Sequence, residues 1–178
     1  MDFKIAQNQI RSRVNELARE MKEFIHQNGY KTAHFISILV GSFVFTSDLL
    51  RALSKFNLII YTDFVSASSY QGAQSTELIF DREAIEHLEL KESLVIVIDD
   101  ILDTGKTLKA IRKEILNQFD PHILEFCCFL KKDKQRNAFD FDVKFVGFII
   151  PDVFVVGYGL DYNGKFRELP YVVSFSFD

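Results

Sequence analysis

Apolar residues along this chain follow two rhythms. From residue 7 to 27 they stand at Ile10, Val14, Leu17, Met21, Phe24 and Ile25. Steps of three and four residues place them on one face of a helix. Asn28-Gly29 follows as a stop, because glycine accepts the left-handed backbone that ends many helices. The second rhythm is continuous. Unbroken or nearly unbroken apolar runs at 35–40 (FISILV), 58–65 (LIIYTDFV), 94–98 (LVIVI), 122–130 (HILEFCCFL), 144–149 (KFVGFI) and 153–156 (VFVV) read as strands. Helices are predicted after the first of these, over about 43–55, and after the third, in GKTLKAIRKEILNQF at 105–119.

Strands that are apolar on both faces and alternate with helices predict an α/β fold with a central, mostly parallel twisted sheet flanked by helices. Residues 66–76, SASSYQGAQST, break both rhythms. They predict a long mobile loop, of a length that often serves as a lid. Residues 79–92 are expected to return to the surface. Asp161-Tyr162-Asn163-Gly164 reads as a turn into a last strand near 171–175. With no linker, repeat or low-complexity tract, residues 1–178 are expected to form one domain.

Composition narrows the function. The chain is 48% hydrophobic, which suffices for a full core and excludes a disordered chain. Nineteen Phe and no Trp predict a phenylalanine-rich interior. A net charge of -4, with basic residues scattered, argues against nucleic acid or an anionic membrane as partner. No apolar run is long enough to span a bilayer, and the N-terminal stretch lacks the pattern of a secretory signal. Cys127 and Cys128 are adjacent, so on a strand they face opposite sides and are poorly placed for a disulfide or a shared metal. A reducing, cytoplasmic compartment is the expectation.

The chemistry concentrates in LVIVIDDILDTGKTL, residues 94–108. Asp99 and Asp100 stand at the end of a strand, where open α/β sheets bind ligands. Thr104-Gly105-Lys106-Thr107 lies between strand and helix, with free backbone N–H groups, two hydroxyls and a favourable helix dipole, a setting that suits a phosphate monoester. Phosphate alone would be repelled by the acids. A ligand with a vicinal diol and a phosphate, such as a ribose 5-phosphate, satisfies both, because ionised carboxylates only accept and hydroxyls donate. The same acids can hold Mg²⁺ through water. Asp103 would face the reactive carbon of the sugar or a base above it. GKT also invites a nucleotide triphosphatase reading, but the Walker pattern needs glycine where Asp100 stands. A receiver-domain reading fits poorly too, because the acid pair comes so late in the chain.

VIVIDDILDTGKTL resembles the phosphoribosyl diphosphate signature of the type I phosphoribosyltransferases, and among them the hypoxanthine-guanine branch. The resemblance runs from about residue 35 to 171. LVGSFVFTSDLL is similar to the family's diphosphate loop and following helix, SASSY followed by ST to its lid, and PDVFVVGYGLDYNGKFRELPY to its purine and metal segment. It implies a fold with a small hood made of the terminal segments. It also implies purine salvage: transfer of 5-phosphoribosyl from phosphoribosyl diphosphate to N9 of hypoxanthine or guanine, with Mg²⁺ as cofactor, in a homodimer or homotetramer. Residue by residue, Asp99 and Asp100 match the acids that bind ribose and metal. Asp103, Thr104, Gly105, Lys106 and Thr107 match the 5-phosphate loop, with Asp103 as general acid/base near purine N7. Lys132 matches the lysine that reads the 6-oxo group, Phe154 the stacking aromatic, and Val155 a backbone contact to the purine edge. Asp161 matches an acid that reaches a second magnesium, and Arg167 the diphosphate arginine. Val40 and Gly41 fall on the diphosphate loop, and Ser69 and Tyr70 on the lid.

Two positions depart from the family pattern. Val40 stands where a Lys or Arg is usual, after a peptide, Leu39-Val40, that is cis in the family. Asp99 replaces a Glu and is one methylene shorter. The loss of the cation at Val40 gives a second reading some footing: a catalytically weak protein that binds phosphoribosyl diphosphate or nucleotide as a regulatory signal.

Overall fold

The computed structural model describes residues 3–69, 78–80, 87–133 and 141–176. After a short strand β1 (Lys4–Ile5), the amphipathic segment forms helix α1 (Gln7–Gln27) with the predicted bounds. Its buried residues include Ile10, Val14, Leu17, Met21 and Ile25. The helix ends as its sequence suggests. Gly29 adopts φ 82°, its N–H donates to the His26 carbonyl, and the Tyr30 N–H reaches back to Ile25. This wrapping satisfies carbonyls that a helix end leaves open.

The main sheet has the order β4-β3-β2-β5-β6-β7. Its strands are β2 (Thr32–Leu39), β3 (Ile59–Ser69), β4 (Leu78–Phe80), β5 (Leu94–Leu102), β6 (Ile123–Lys132) and β7 (Phe145–Ile150). All pairings are parallel except β3 with β4. Helix α2 (Phe43–Leu53) connects β2 to β3, and α3 (Lys106–Gln118) connects β5 to β6. Side chains of β5 alternate between the two faces. Leu94, Ile96 and Ile98 join the cluster of α1 and α2, while Val95 and Val97 join that of α3. Cys127 and Cys128 likewise go to opposite clusters, and both are free thiols. A second, three-stranded sheet, β1-β9-β8, forms a hood from the chain ends, with β8 at Val155–Val156 and β9 at Val172–Ser174. Among the described residues, no helix is long and apolar enough to cross a membrane.

Several expected bounds move. β5 runs to Leu102, so the acid pair lies within the strand rather than after it, and β6 continues through Lys131 and Lys132. Backbone pairing does not stop where apolar character stops. The stretch 66–76 is not a plain loop: β3 continues to Ser69, and Ala67–Ser69 pair antiparallel with β4. Residues 79–92 are not all surface, since Leu90 is fully buried. The last strands are shorter than expected, Val155–Val156 and Val172–Ser174. The turn is tight as predicted: Tyr162 and Lys165 exchange backbone hydrogen bonds of 3.1 Å around Asn163 (φ 53°) and Gly164 (φ 77°).

The aromatic core is centred on Phe129, which is 1% exposed and touches the rings of Phe45, Phe148 and Tyr158. It joins β6, α2, β7 and the segment just after β8. Phe129→Ala is expected to lower stability by about 3–5 kcal/mol, through lost burial and the cavity left behind. Urea unfolding followed by circular dichroism measures it.

Candidate active site

The chain leaves β2 toward β3 on one side and resumes at β5 on the other. The carboxyl ends of β2 and β5 therefore flank a topological switch point, where open α/β sheets form a crevice. The loop after β2 is held from below by three buried hydroxyls. Ser37 Oγ lies 2.8 Å from Ser42 Oγ and 2.7 Å from Thr46 Oγ1, and Ser42 also donates to the Ile38 carbonyl. The Leu39–Val40 peptide is cis, as the resemblance implies. Val40 is 56% exposed. Gly41 lies against the acid of the next strand: a Cβ there would stand 1.5 Å from Asp100 Oδ2. Any side chain would displace that carboxylate.

Asp99 is buried and Asp100 half-buried. The Asp100 N–H donates to Asp99 Oδ1 at 3.0 Å, and the Ile101 N–H to Asp100 Oδ1 at 2.7 Å. Burial, then the neighbouring negative charge of Asp100, pushes the Asp99 carboxyl well above the usual range. Burial raises Asp100 as well, against the opposing pull of its hydrogen bonds and of the Arg167 charge. Such a pair asks for donors or positive charge from a ligand.

Three residues, Asp103 to Gly105, then turn the chain into α3. Gly105 is the N-cap with φ 73°, and no side chain caps the helix. The first N–H groups of α3 have no partner within the helix and sit at its positive end. Thr104 and Lys106 are exposed and Thr107 half-buried around them. The arrangement is an anion cradle that starts four residues after the acid pair.

On the other side, Lys132 closes β6 with its side chain 12% exposed. Its Nζ lies 3.1 Å from Asp103 Oδ2 and 3.0 Å from Asp152 Oδ1. Phe154 is 41% exposed and meets Tyr162 and Phe175 edge-on, with centroids 6.1 and 6.3 Å apart. Val155, next to it, is buried in β8. Asp161 and Arg167 face each other across the Asn163-Gly164 turn at 2.7 Å. Arg167 also donates to the Gly159 carbonyl at 2.5 Å, and Asp161 Oδ2 accepts the Gly164 N–H at 2.7 Å. Gly159 in turn packs on the loop after β2, since a Cβ there would stand 2.2 Å from the Gly41 carbonyl oxygen.

Direct contacts thus link Asp103 to Lys132, Asp100 to Gly41, and Asp161 to Arg167. Ser69 ends β3 opposite Leu78. Tyr70 lies outside the described residues. Sequence reasoning missed Asp152, whose signal was only an acid after a proline in the short gap between two predicted strands. It also missed the hydroxyls of Ser37 and Thr46, which look like ordinary strand and helix residues.

Residues 6–163 match the phosphoribosyl transferase domain family. The hypoxanthine phosphoribosyltransferase of Salmonella typhimurium is 37% identical over 97% of this chain and 93% of its own length. The hypoxanthine-guanine phosphoribosyltransferase of Aquifex aeolicus is 37% identical over 94% of this chain and 90% of its own. Among solved structures, a hypoxanthine-guanine phosphoribosyltransferase from Bacillus anthracis superposes with a TM-score of 0.80 at 34% identity, covering 97% of this chain and 96% of that one. The hypoxanthine phosphoribosyltransferase of Trypanosoma cruzi, in complex with the product IMP, gives 0.84 at 31%, covering 97% and 94%. Sheet order, crevice, cradle and relatives agree: the chain belongs to the phosphoribosyltransferase family, in its hypoxanthine-guanine branch.

Proposed function

We propose that this protein transfers the 5-phosphoribosyl group of phosphoribosyl diphosphate to N9 of hypoxanthine, and of guanine, releasing diphosphate and forming IMP or GMP. The observation that carries the reading is the buried acid pair of β5 followed at once by the uncapped N-terminus of α3. One ligand, a ribose 5-phosphate, has both the hydroxyls and the phosphate that the two halves call for. Relatives named as transferases favour an enzyme over a regulatory binder. Val40 does not reverse this, because the loop's backbone N–H groups remain available to diphosphate.

In this reading Thr104 to Thr107 hold the 5-phosphate, and Asp99 and Asp100 accept from the ribose hydroxyls. The C1–oxygen bond to diphosphate breaks and the C1–N9 bond forms. Arg167 and the backbone at Val40 and Gly41 receive the departing charge. Asp103 takes a proton at purine N7 as the base acquires its new bond. Lys132 donates to the 6-oxo group, the Val155 backbone meets the purine edge, and Phe154 stacks on the ring. Ser69 and Tyr70 belong to the lid that keeps water out.

Two raised carboxyls side by side fit a divalent cation, and Mg²⁺ is the one proposed, held by Asp99 and Asp100 directly or through water. Asp161 fits less freely, because Arg167 and the Gly164 N–H already engage its oxygens. When bound, Mg²⁺ supplies charge neutralisation for diphosphate. A homodimer or homotetramer is proposed as the working assembly. It is supported by the exposed Phe43 beside a groove of about 780 Å³ between α1, α2 and the 158–170 segment. A cytoplasmic location is proposed on the two free thiols.

The first experiment is an absorbance assay with Mg²⁺, phosphoribosyl diphosphate and hypoxanthine, guanine or xanthine. Formation of a nucleoside monophosphate is expected with the first two, and its absence with every base would overturn the reading. Asp103→Asn is expected to lower kcat by about 10²–10⁴-fold with little change in either KM. Steady-state kinetics decides, and unchanged kcat would remove Asp103 from proton transfer. Phe154→Ala should raise the purine KM by about fivefold to a hundredfold, the worth of one stacked base.

The acid pair also predicts a pH effect in the protein without ligands. The raised Asp99 carboxyl keeps its proton when the unfolded chain, with its ordinary value of 3.8, has lost it. Folding then binds a proton, so stability falls as pH rises from about that value toward neutrality. Asp99→Asn should flatten this decline and resist more urea than the wild type at neutral pH while losing activity. A urea midpoint series across pH measures both slopes, and parallel slopes would refute the assignment.

A further inference from the structure

Strand order sets three charged groups in a row. Leu102 of β5 pairs with Lys131 of β6, and Lys132 pairs with Ile150 of β7. Asp103 therefore follows the end of β5, Lys132 closes β6, and Asp152 lies two residues past β7. The middle strand carries the cation, and the chain just past each neighbouring strand carries an acid. The Lys132 ammonium touches both, at 3.1 Å to Asp103 and 3.0 Å to Asp152. The backbone beneath Asp152 is braced. The Asp133 N–H donates to the Ile150 carbonyl, and the Val153 N–H to the Pro151 carbonyl, each at 2.8 Å. Pro151 adds a fixed φ.

An ammonium has three N–H donors and no acceptor. Held by one carboxylate, it can swing around that contact. Held from two sides, it has two donors spent and the direction of the third set. The second acid also matters for the first. Asp103 is the group proposed to take the purine proton, and a cation shared with Asp152 is not wholly committed to Asp103.

We propose that Asp152 is a positioning residue for the transferase reaction: it holds the Lys132 ammonium from the side opposite Asp103, so that the third N–H points at the 6-oxo group of the purine. The inference rests on the reading of Lys132 as the 6-oxo contact. It gives Asp152 a part in choosing 6-oxopurines without touching them.

The test compares two nucleotides by isothermal titration: inosine 5′-monophosphate and purine riboside 5′-monophosphate, which lacks the 6-oxo group. The wild type should bind the first about tenfold tighter or more, as for a hydrogen bond from a charged donor. Asp152→Asn and Asp152→Ala should weaken inosine monophosphate by about three- to tenfold and leave purine riboside monophosphate within about twofold. The KM for phosphoribosyl diphosphate should not move, and Asp152→Glu should recover most of the loss. Lys132→Met should erase the preference. If Lys132→Met erases it while Asp152→Ala weakens both nucleotides alike, or neither, the positioning role is overturned and the reading of Lys132 stands. If the preference survives Lys132→Met, the reading of Lys132 fails and the role of Asp152 fails with it.

Discussion

Two adjacent carboxylates taken out of water are expensive, and much of the molecule is arranged around that cost. The backbone contributes first, with N–H groups of Asp100 and Ile101 aimed at the pair. Gly41 leaves the room that Asp100 occupies, and Gly159 closes over Gly41. Arg167, tied to the Gly159 carbonyl, brings a distant positive charge toward Asp100. These contacts draw the loop after β2, the end of β5 and the segment after β8 onto one point. They do not suffice to keep both groups ionised, and the raised Asp99 carboxyl holds its proton instead. The residual tension favours whatever ligand brings hydroxyls or a cation, and the apo protein gives up stability to keep it, a common exchange at functional sites.

Much of the fold was legible because local pattern and tertiary role coincide. The face of α1 is written in six apolar residues, and the sheet in runs that suit burial on both sides. Legibility failed where polar residues are paired by their backbone. Asp99, Asp100, Lys131 and Lys132 belong to strands although their side chains look like loop residues. The β3–β4 hairpin was hidden for the same reason, because SASS shows no alternation and owes its strand to a partner some ten residues on.

The candidate site divides in the same way. The cradle and the acid pair lie within nine consecutive residues, so one motif displays them. Asp161 and Arg167 are joined through a turn that Asn163-Gly164 announces. Asp152 could not be read, because its meaning depends on β5, β6 and β7 lying side by side with their ends level. The resemblance carried Lys132 into the site, but only the ends of those strands show that an acid stands on each side of it.

Phe3 donates its N–H to Ser174 Oγ at 3.1 Å, and Lys4 pairs with Val173. The sheet that carries Val155, beside Phe154, is thus closed by the two most distant stretches of the chain. On the ribosome, residues 94–118 have long emerged when Val172–Ser174 are still being made. The residues of β5 and α3 are thus in place in the nascent chain before the small sheet, which cannot be completed until translation has passed β9. A chain stalled or clipped before Val172 would keep the residues of β5 and α3 and lack the strand that joins β1 to β8.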